Sequence, residues 1–445
     1  MRKDRDMTEG NPFRLIGIFS FSLIVGNLFQ QLYTFVDTII IGKKIGTLGL
    51  AAVGGTEWLI FLVNGVVIGL VQGFCILLGN TFGEGNEQEF EVYYARSKRI
   101  CFVLAIVLTG FFFLVSGAIL RLLGTKDEVY TMAREYINII FLGIPFLVYY
   151  QLFSGALRSR GNSRIPLLAM TVSSLCNIVL DILFVNVLEF GIAGAALGTI
   201  VSECVVMLIC GYYFYQEKKK VDNRITASNE KVVTLKLIQM GIPMALQSVI
   251  TSIGGLIVIN RINQYDITFL AGYTAAVKLY GLLEIAASSF GMAVVTYVAQ
   301  NYGAGKISRI KKGVRVSLFM GTAVAIVCSC VMVFGGHDIL RLFVEVSDTT
   351  EKMLAYGCRF LRILAVFFSF LYFLYILRAA LQGMNNTVVP MLSSFAQLIM
   401  RLWCAIVLTR FIGSDGIFWG EVSAWIFADI ILFVVYEQQI RAASK

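Results

Sequence analysis

The sequence predicts an all-α integral membrane protein with twelve transmembrane helices in two pseudo-symmetric six-helix bundles. Of its 445 residues, 58% are hydrophobic and 15% are charged, whereas soluble domains carry about a quarter charged residues. This length provides roughly a dozen spans of about 20 to 25 residues with short loops and leaves no room for a sizeable soluble domain. Short motifs also recur between the two halves of the chain.

Twelve apolar stretches are long enough to cross a bilayer as helices. The first, second, seventh and eighth are longer than a bilayer requires, so we expect them to tilt or protrude. Pro145 and Pro243 fall within predicted spans, where proline bends a helix. The predicted spans are 13–41, 50–80, 100–122, 132–154, 165–187, 191–215, 235–262, 269–299, 314–336, 353–380, 389–411 and 416–438.

The basic residues are distributed unevenly between alternate loops. With the N-terminus inside the cell, the inner loops and termini hold 24 Lys and Arg residues and the outer loops hold 8. The positive-inside rule therefore predicts a multi-pass protein of the cell membrane with both termini in the cytoplasm. This topology accounts for the net charge of +9, so no nucleic-acid partner is expected. The partners expected are membrane lipids and a small molecule, with the protein as a monomer.

The longest polar segment divides the spans six and six, and the halves on either side repeat. We predict an N-terminal bundle at 1–215, a cytoplasmic linker at 216–236 and a C-terminal bundle at 237–445. An even number of spans per half makes the repeats parallel, and such transporters rock two halves about a site between them. The paired motifs, at offsets of 220 to 224 residues, are Phe82–Gly85 with Tyr302–Gly305, Asn162 with Asn386, and Gly191 with Gly413.

Two aspartates lie inside apolar spans, Asp37 in the first and Asp181 in the fifth. A charge at the centre of a membrane helix costs roughly 3 kcal/mol, so such residues commonly face a wet cavity and bind an ion or a partner. Steps of three and four residues place further polar side chains on the same helix faces. These side chains are Asn27, Gln30, Gln31 and Thr34 in the first span and Ser174 and Asn177 in the fifth.

The repeat supplies an internal control for the two aspartates. Asp37 corresponds to Arg261, and Asp181 corresponds to the segment from Trp403 to Ala405, so neither acid recurs. A structural role would more readily appear in both halves. We therefore interpret the pair as a coupled site for a proton or a small cation such as Na⁺, against the alternative that each is a buried polar residue satisfied by a neighbouring helix.

Three other intramembrane charges are candidates for cavity lining or for structural ion pairs. They are Glu203 in the sixth span and Lys278 and Glu284 in the eighth. Six residues apart, Lys278 and Glu284 are about 240° apart around a helix and do not face each other. The nine cysteines and one histidine show no metal-ligand spacing. No cofactor and no metal centre beyond the Na⁺ considered at Asp37 and Asp181 are expected.

The chain resembles the multidrug and toxic compound extrusion (MATE) transporters over nearly its whole length. Leu32–Ile39, followed by Gly42 and Leu50–Gly54, resembles the first-helix signature of that family. Asn177–Phe184, followed by Gly191–Ala196 and Thr199, is similar to the fifth and sixth helices of its DinF-like branch. Gly155–Arg158 through Pro166 is similar to the inner loop before the fifth helix.

This resemblance implies twelve helices around a V-shaped central cavity and export of cationic or amphipathic drugs driven by inward H⁺ or Na⁺. It implies that Asp37, Asn177, Asp181 and Thr199 form the coupling site. Another branch also uses carboxylates on helices 7 and 10. These fall near Thr251 and Leu371 here, neither of them acidic, so a C-terminal cation site of that type is not expected.

The sequence-based hypothesis is thus a secondary active multidrug antiporter that works by alternating access and is not an enzyme. Three alternatives stay open. The first is a lipid-linked oligosaccharide flippase of the same superfamily, which needs basic residues in its cavity. The second is a membrane-embedded aspartyl protease, although the usual glycine-rich context of such aspartates is missing. The third is a passive channel.

Overall fold

A computed structural model describes residues 6–122, 124–217, 227–342 and 350–444, with the side chains of 227–229 left aside. All regular structure in these residues is helical, because a helix satisfies every backbone polar group within its own segment, as hydrocarbon demands. The helices are α1 (Pro12–Lys44), α2 (Thr47–Gly83), α3 (Glu87–Leu122), α4 (Asp127–Leu142), α5 (Ile144–Ser159), α6 (Arg164–Asp181), α7 (Gly191–Glu217), α8 (Ala227–Ile262), α9 (Ile267–Gly303), α10 (Ile307–Cys330), α11 (Gly336–Arg341), α12 (Thr350–Gly383), α13 (Val388–Trp403), α14 (Thr409–Ile412) and α15 (Asp415–Ala442).

Three π-helical segments extend these helices. Ile182–Val187 continues α6, Val331–Gly335 joins α10 to α11, and Cys404–Leu408 joins α13 to α14. Such wide turns are rare in proteins and are frequent at functional sites. The first of them begins directly after Asp181.

Within the described residues, eleven segments are long and apolar enough to cross a membrane, and a bent pair of helices supplies a twelfth. The predicted all-α membrane fold is therefore confirmed. The bent pair is α4 with α5, which meet at 42° and correspond to the predicted span 132–154. The break falls at Gly143, and Pro145, which has no backbone N–H to donate, lies in the first turn of α5. The bend expected at Pro145 is thus confirmed.

The chain forms two compact units, one containing Val25–Ala245 and the other Met7–Ile24 with Leu246–Lys445. The boundary between them falls inside α1 and inside α8. Much of the predicted linker 216–236 lies outside the described residues. The three-part division at 1–215, 216–236 and 237–445 therefore stays a prediction.

In the first unit, glycines allow α2 to pack directly on the N-terminal half of α8. A Cβ atom added to Gly73 would lie 2.6 Å from the Cα of Gly241, and one added to Gly69 would lie 2.6 Å from the carbonyl oxygen of Met244. This is the small-residue packing that lets membrane helices approach closely. In the first turn of α8, Glu230 pairs with Arg96 of α3 at 3.1 Å.

In the second unit, α9 and α12 form the central packed pair. Gly272 of α9 and Gly357 of α12 lie against each other's backbone. Beside them, aromatic rings of three helices stack at centroid distances of 5.0 to 6.4 Å, which buries large apolar side chains in favourable geometries. The rings belong to Phe269, Tyr273, Phe360 and Phe418.

The sequence repeat recurs in local geometry. Asn162 donates to Glu217 Oε1 at 2.9 Å and accepts from the backbone N–H three residues later. Asn386 does the same with Gln439 Oε1 at 3.0 Å. The π-helical segments at 182 and 404 stand 222 residues apart. The two halves therefore share turns and helix ends as well as motifs.

Candidate functional site

The buried candidate residues lie on two helices of the first unit, α1 and α6. Asp37 on α1 is 7% exposed, whereas Asn177 and Asp181 on α6 are fully buried. Asn177 and Asp181 stand four residues apart and so share one face of α6. The local sequence makes this face polar while the rest of α6 is apolar.

The polar atoms of these side chains have no hydrogen-bond partner in the part of the chain that the structure describes. This holds for Asp37 Oδ1, for both carboxylate oxygens of Asp181, and for both polar atoms of the Asn177 amide. Buried polar groups in native proteins are nearly always paired. Among them, an ionised carboxylate costs the most free energy when it has no partner. A bound ligand would satisfy such unpaired oxygens on α1 and α6.

Helix α7 covers the Asp181 carboxylate with a glycine. A Cβ atom at Gly198 would overlap Asp181 Oδ1, so the carboxylate lies directly against the α7 backbone. Thr199 follows this glycine, is half-buried, and donates its hydroxyl proton to the carbonyl of Ala195 at 3.2 Å. Its oxygen lone pairs remain available as acceptors. Ser174, one turn before Asn177, is also buried.

The charges of Asp37 and Asp181 are close enough to interact electrostatically. Both also interact with the hydroxyl group of Tyr136, a buried residue of α4. Asp37, Tyr136 and Asp181, called the acidic cluster below, therefore lie within electrostatic range of one another although they come from three different helices. Tyr136 was not singled out from the sequence, because nothing in its local pattern separates it from the other 18 tyrosines.

A third carboxylate lies near this cluster. Glu203 on α7 is half-buried, and its Oε2 would lie 3.4 Å from a Cβ atom at Gly143, where α4 and α5 bend. Its charge reaches Tyr33 on α1 and Tyr136 on α4. Glu203, which the sequence predicted to lie within the membrane, is therefore close to the acidic cluster.

The rest of the polar stripe on α1 has a different environment. Gln30, Gln31 and Thr34 are exposed, and Asn27 is half-buried. The Thr34 hydroxyl donates to the Gln30 carbonyl of its own helix at 3.1 Å. The structure brings these residues onto one side of α1 but does not bury them with Asp37, so their role in lining a cavity stays a prediction.

The two candidates on α9 belong to the second unit. Lys278 is exposed, whereas Glu284 is half-buried and accepts a hydrogen bond from the Tyr375 hydroxyl at 2.8 Å. They do not contact each other, as their spacing predicted. No group of three or more His, Cys, Asp or Glu residues within the described chain is arranged to hold a metal ion.

The donor set around Asp181 fits a proton or a sodium ion. Carboxylate, amide and hydroxyl oxygens are hard ligands, which suit hard cations rather than soft transition metals. The asymmetry expected between the halves stays a prediction, but one repeat counterpart can be compared directly. Arg261, the repeat counterpart of Asp37, hydrogen-bonds the exposed Gln264 at 2.6 Å instead of entering an acidic cluster.

Comparison with known proteins places this geometry in a family. The MatE family profile matches residues 22–183 and 243–407, once in each half of the chain. Among curated proteins, the probable multidrug resistance protein YpnP of Bacillus subtilis is 26% identical over 444 residues, covering 100% of this chain and 99% of its own. The probable multidrug resistance protein YoeA of the same organism is 27% identical over 350 residues, covering 77% and 76%.

The fold has close counterparts among solved structures. A MOP superfamily transporter from Pyrococcus furiosus superposes with a TM-score of 0.92 at 22% identity, covering 100% of this chain and 99% of its own. An outward-facing multidrug resistance MATE family transporter also superposes with a TM-score of 0.92, at 21% identity and with the same coverage. Together with the profile matches, which cover most of both halves, these findings establish that the chain belongs to the MatE family of membrane transporters.

Proposed function

We propose that this protein is a secondary active efflux antiporter that exports cationic or amphipathic organic compounds in exchange for H⁺ or Na⁺. The names of its relatives support export of drugs: two are called probable multidrug resistance proteins and another, from Staphylococcus haemolyticus, is called a multidrug export protein. The coupling ion binds between Asp37, Asn177, Asp181 and Thr199. The protein acts as a monomer in the cell membrane and is a transporter rather than an enzyme.

One observation carries the coupling site: Asp181 is fully buried and both its oxygens are unpaired among the described residues. An ionised carboxylate in this position is costly. A proton neutralises the charge, and a sodium ion supplies the missing ligand contacts. Binding of a proton and binding of a sodium ion both remove the free-energy cost of the buried negative charge. The site therefore binds one positive ion.

The second carboxylate makes ion binding depend on both residues. Because the charges of Asp37 and Asp181 interact, the first positive ion reduces the repulsion between them and the two groups titrate as one unit. Asp37 lies on α1 and Asp181 on α6, so this interaction acts between helices. Ion binding therefore favours a closer arrangement of these two helices.

Coupling to transport requires that the ion bind the inward-open and outward-open states unequally. The contact between Asp181 and Gly198 supports a local mechanism for this difference, because it leaves no space between the carboxylate and α7. A change at the carboxylate must then shift either α7 or the wide π-helical turn that begins at Ile182. We propose that this turn is the adjustable element.

The acidic character of the first unit supports a cationic substrate. Glu203 adds a half-buried negative charge beside the aromatic residues Tyr33 and Tyr136. The carboxylate attracts an organic cation through its charge, and the neighbouring aromatic ring offers the cation an apolar surface. A lipid pyrophosphate would meet repulsion at this site, which is why we prefer drug export to flipping of lipid-linked sugars.

Transport in proteoliposomes tests the proposal. Efflux of a cationic dye is measured under an imposed pH gradient and, separately, an imposed Na⁺ gradient, for wild type, Asp37→Asn and Asp181→Asn. Glu189→Gln is the control, because Glu189 is a carboxylate of the same unit on the surface. We expect both Asn variants to lose gradient-driven efflux and the control to retain it. If the Asn variants export as the wild type does, the coupling assignment is wrong.

The orientation of the protein is a separate part of the proposal. The excess of Lys and Arg in one set of loops supports termini on the cytoplasmic side. A protease added to the outside of intact cells should leave an N-terminal epitope tag intact and should remove it once the cells are opened. Removal of the tag from intact cells would reverse the assigned topology.

A further inference from the structure

The second unit contains a charge cluster of its own, whose members are buried or half-buried. It consists of two arginines and three acids, and their charges interact with one another across α9, α12, α13 and α15. The members, called the α15 cluster below, are Glu284, Arg378, Arg401, Glu421 and Asp429.

The pairing within the α15 cluster is uneven. Arg401 and Glu421 form an ion pair at 2.8 Å, and Glu284 accepts the Tyr375 hydroxyl at 2.8 Å. Asp429 is 7% exposed, yet neither of its carboxylate oxygens has a hydrogen-bond partner among the residues that the structure describes. Among the three acids of the cluster, Asp429 thus has the fewest hydrogen bonds and ion pairs to stabilise its ionised form.

Arg378 lies within electrostatic range of Asp429, but its hydrogen bonds go to other residues. Its Nε donates to Ser393 Oγ at 3.2 Å, and a terminal nitrogen donates to Ser394 Oγ at 2.9 Å, both on α13. The Arg378 charge nevertheless acts on Asp429. The guanidinium group therefore has two alternative partners, the hydroxyls of α13 and the carboxylate of α15.

A charge count shows what the cluster lacks. Three ionised acids against two arginines leave one negative charge inside an apolar helical unit, where an uncompensated charge is costly. One added proton brings the cluster to neutrality. A metal cation would also do so, but it would have to sit beside the positive Arg378, and the described residues hold no metal-ligand group.

We propose that Asp429 is a proton-binding residue, a second site separate from the one proposed at Asp37 and Asp181. A proton from solvent forms an O–H bond at the Asp429 carboxylate. The neutral acid leaves Arg378 on Ser393 and Ser394, as observed. Loss of the proton draws Arg378 from α13 to Asp429, so the packing of α12, α13 and α15 depends on the protonation state.

The residues that face Asp429 define its electrostatic setting. Arg378 reaches it from α12, and Arg401 on α13 is neutralised by Glu421 of α15. Glu284 on α9 influences Arg378 rather than Asp429.

A natural reporter lies one helical turn from Asp429. Trp425 of α15 is 1% exposed and packs against Tyr280 at a centroid distance of 6.1 Å. In a protein whose other tryptophans, Trp58, Trp403 and Trp419, are replaced by Phe, the emission of Trp425 is recorded against pH in lipid nanodiscs. We expect one pH-dependent transition. If the emission does not change with pH, the proposal is wrong. This test needs no substitution at Asp429.

Infrared difference spectra between acidic and alkaline pH then identify the group. We expect the wild type to show a carbonyl band of a protonated carboxylic acid that Asp429→Asn lacks and Asp429→Glu restores at a shifted frequency. Asp181→Asn is the matched control and should retain the Asp429 band. A spectrum of Asp429→Asn identical to that of the wild type would show that Asp429 holds one protonation state throughout. Neither readout requires transport, so failure here is distinguishable from failure of the proposed antiport.

Discussion

Gly198 of α7 lies so close to Asp181 of α6 that a methyl group on residue 198 would overlap the carboxylate oxygen. This contact joins the two helices at the most buried acid of the first unit. It also explains why a glycine is needed here: any larger residue would displace either the carboxylate or the helix. The four predictions below begin with this contact.

Replacing Gly198 with Ala should impair ion coupling more than folding. Overpacking a tight contact costs about 1–3 kcal/mol, and here the displaced group is the proposed ion ligand itself. We expect strongly reduced gradient-driven efflux in proteoliposomes with a modest loss of thermal stability. Gly110→Ala is the matched control, because no atom lies within 4 Å of a Cβ at that position. Normal efflux by Gly198→Ala would show that the contact is not part of the coupling site.

Removing the charge of Glu203 should change substrate affinity rather than ion coupling. The side chain is half-buried beside Tyr33 and Tyr136, so Glu203→Gln removes an attraction for organic cations. We expect KM for a monovalent cationic dye to rise roughly tenfold, equivalent to about 1.4 kcal/mol, whereas KM for a neutral substrate stays the same. A parallel rise for both substrates would point to a general disturbance of packing instead.

Arg160 should be a major stabilising residue of the first unit. It is 6% exposed, pairs with Glu87 at 3.0 Å and with Glu91 at 3.6 Å, and lies 4.3 Å above the Phe90 ring. Arg160→Met removes the cation that pairs with both acids, and losing one partner of a buried ion pair costs about 3–5 kcal/mol. Thermal unfolding in detergent should show a large loss of stability.

Two comparisons test the cause of that loss. Adding Glu91→Gln to Arg160→Met should recover part of the stability, because the more deeply buried of the two acids that paired with Arg160 then carries no charge. Arg99→Gln breaks an exposed pair with Glu230 and should have little effect. Equal losses for Arg99→Gln and Arg160→Met would contradict the argument from burial.

The surface pair between Lys44 and Glu189 should matter little, and only above acidic pH. A hydrogen bond from Lys44 at 2.8 Å, together with its charge, holds the pKa of Glu189 below its ordinary value. A lowered pKa in the folded state means that the contribution to stability is present above the unfolded-state pKa and is lost as the pH falls through the folded-state pKa. Both groups are exposed, so salt screens the interaction.

Thermal unfolding of Lys44→Gln against wild type tests this contribution. We expect a small difference at neutral pH and low salt that disappears both at high salt and at acidic pH. A difference that persists at acidic pH would mean that Lys44 stabilises the fold through a contact other than its charge.

The amino-acid sequence was sufficient to predict the class of fold, the positions of the spans, the internal repeat and the family resemblance. These properties depend on hydropathy, helix length and motifs, all of which can be read directly from the linear sequence. The MATE resemblance is confirmed by the profile matches in both halves, whereas its DinF-like branch stays a prediction. Asp37, Asn177 and Asp181 were found because polar groups in apolar spans are costly and therefore conspicuous.

The spatial neighbours of these residues came from the three-dimensional fold. Tyr136 lies within electrostatic range of Asp37 and Asp181, Gly198 contacts Asp181, and Asp429 lies within electrostatic range of Arg378, yet no local pattern marks these partners. The polar stripe on α1 likewise looked uniform in the sequence, although Asp37 is buried while Gln31 is exposed. The physical reason is that helical periodicity defines the faces of one helix, whereas the face that meets a neighbour is set by packing between residues far apart in the chain.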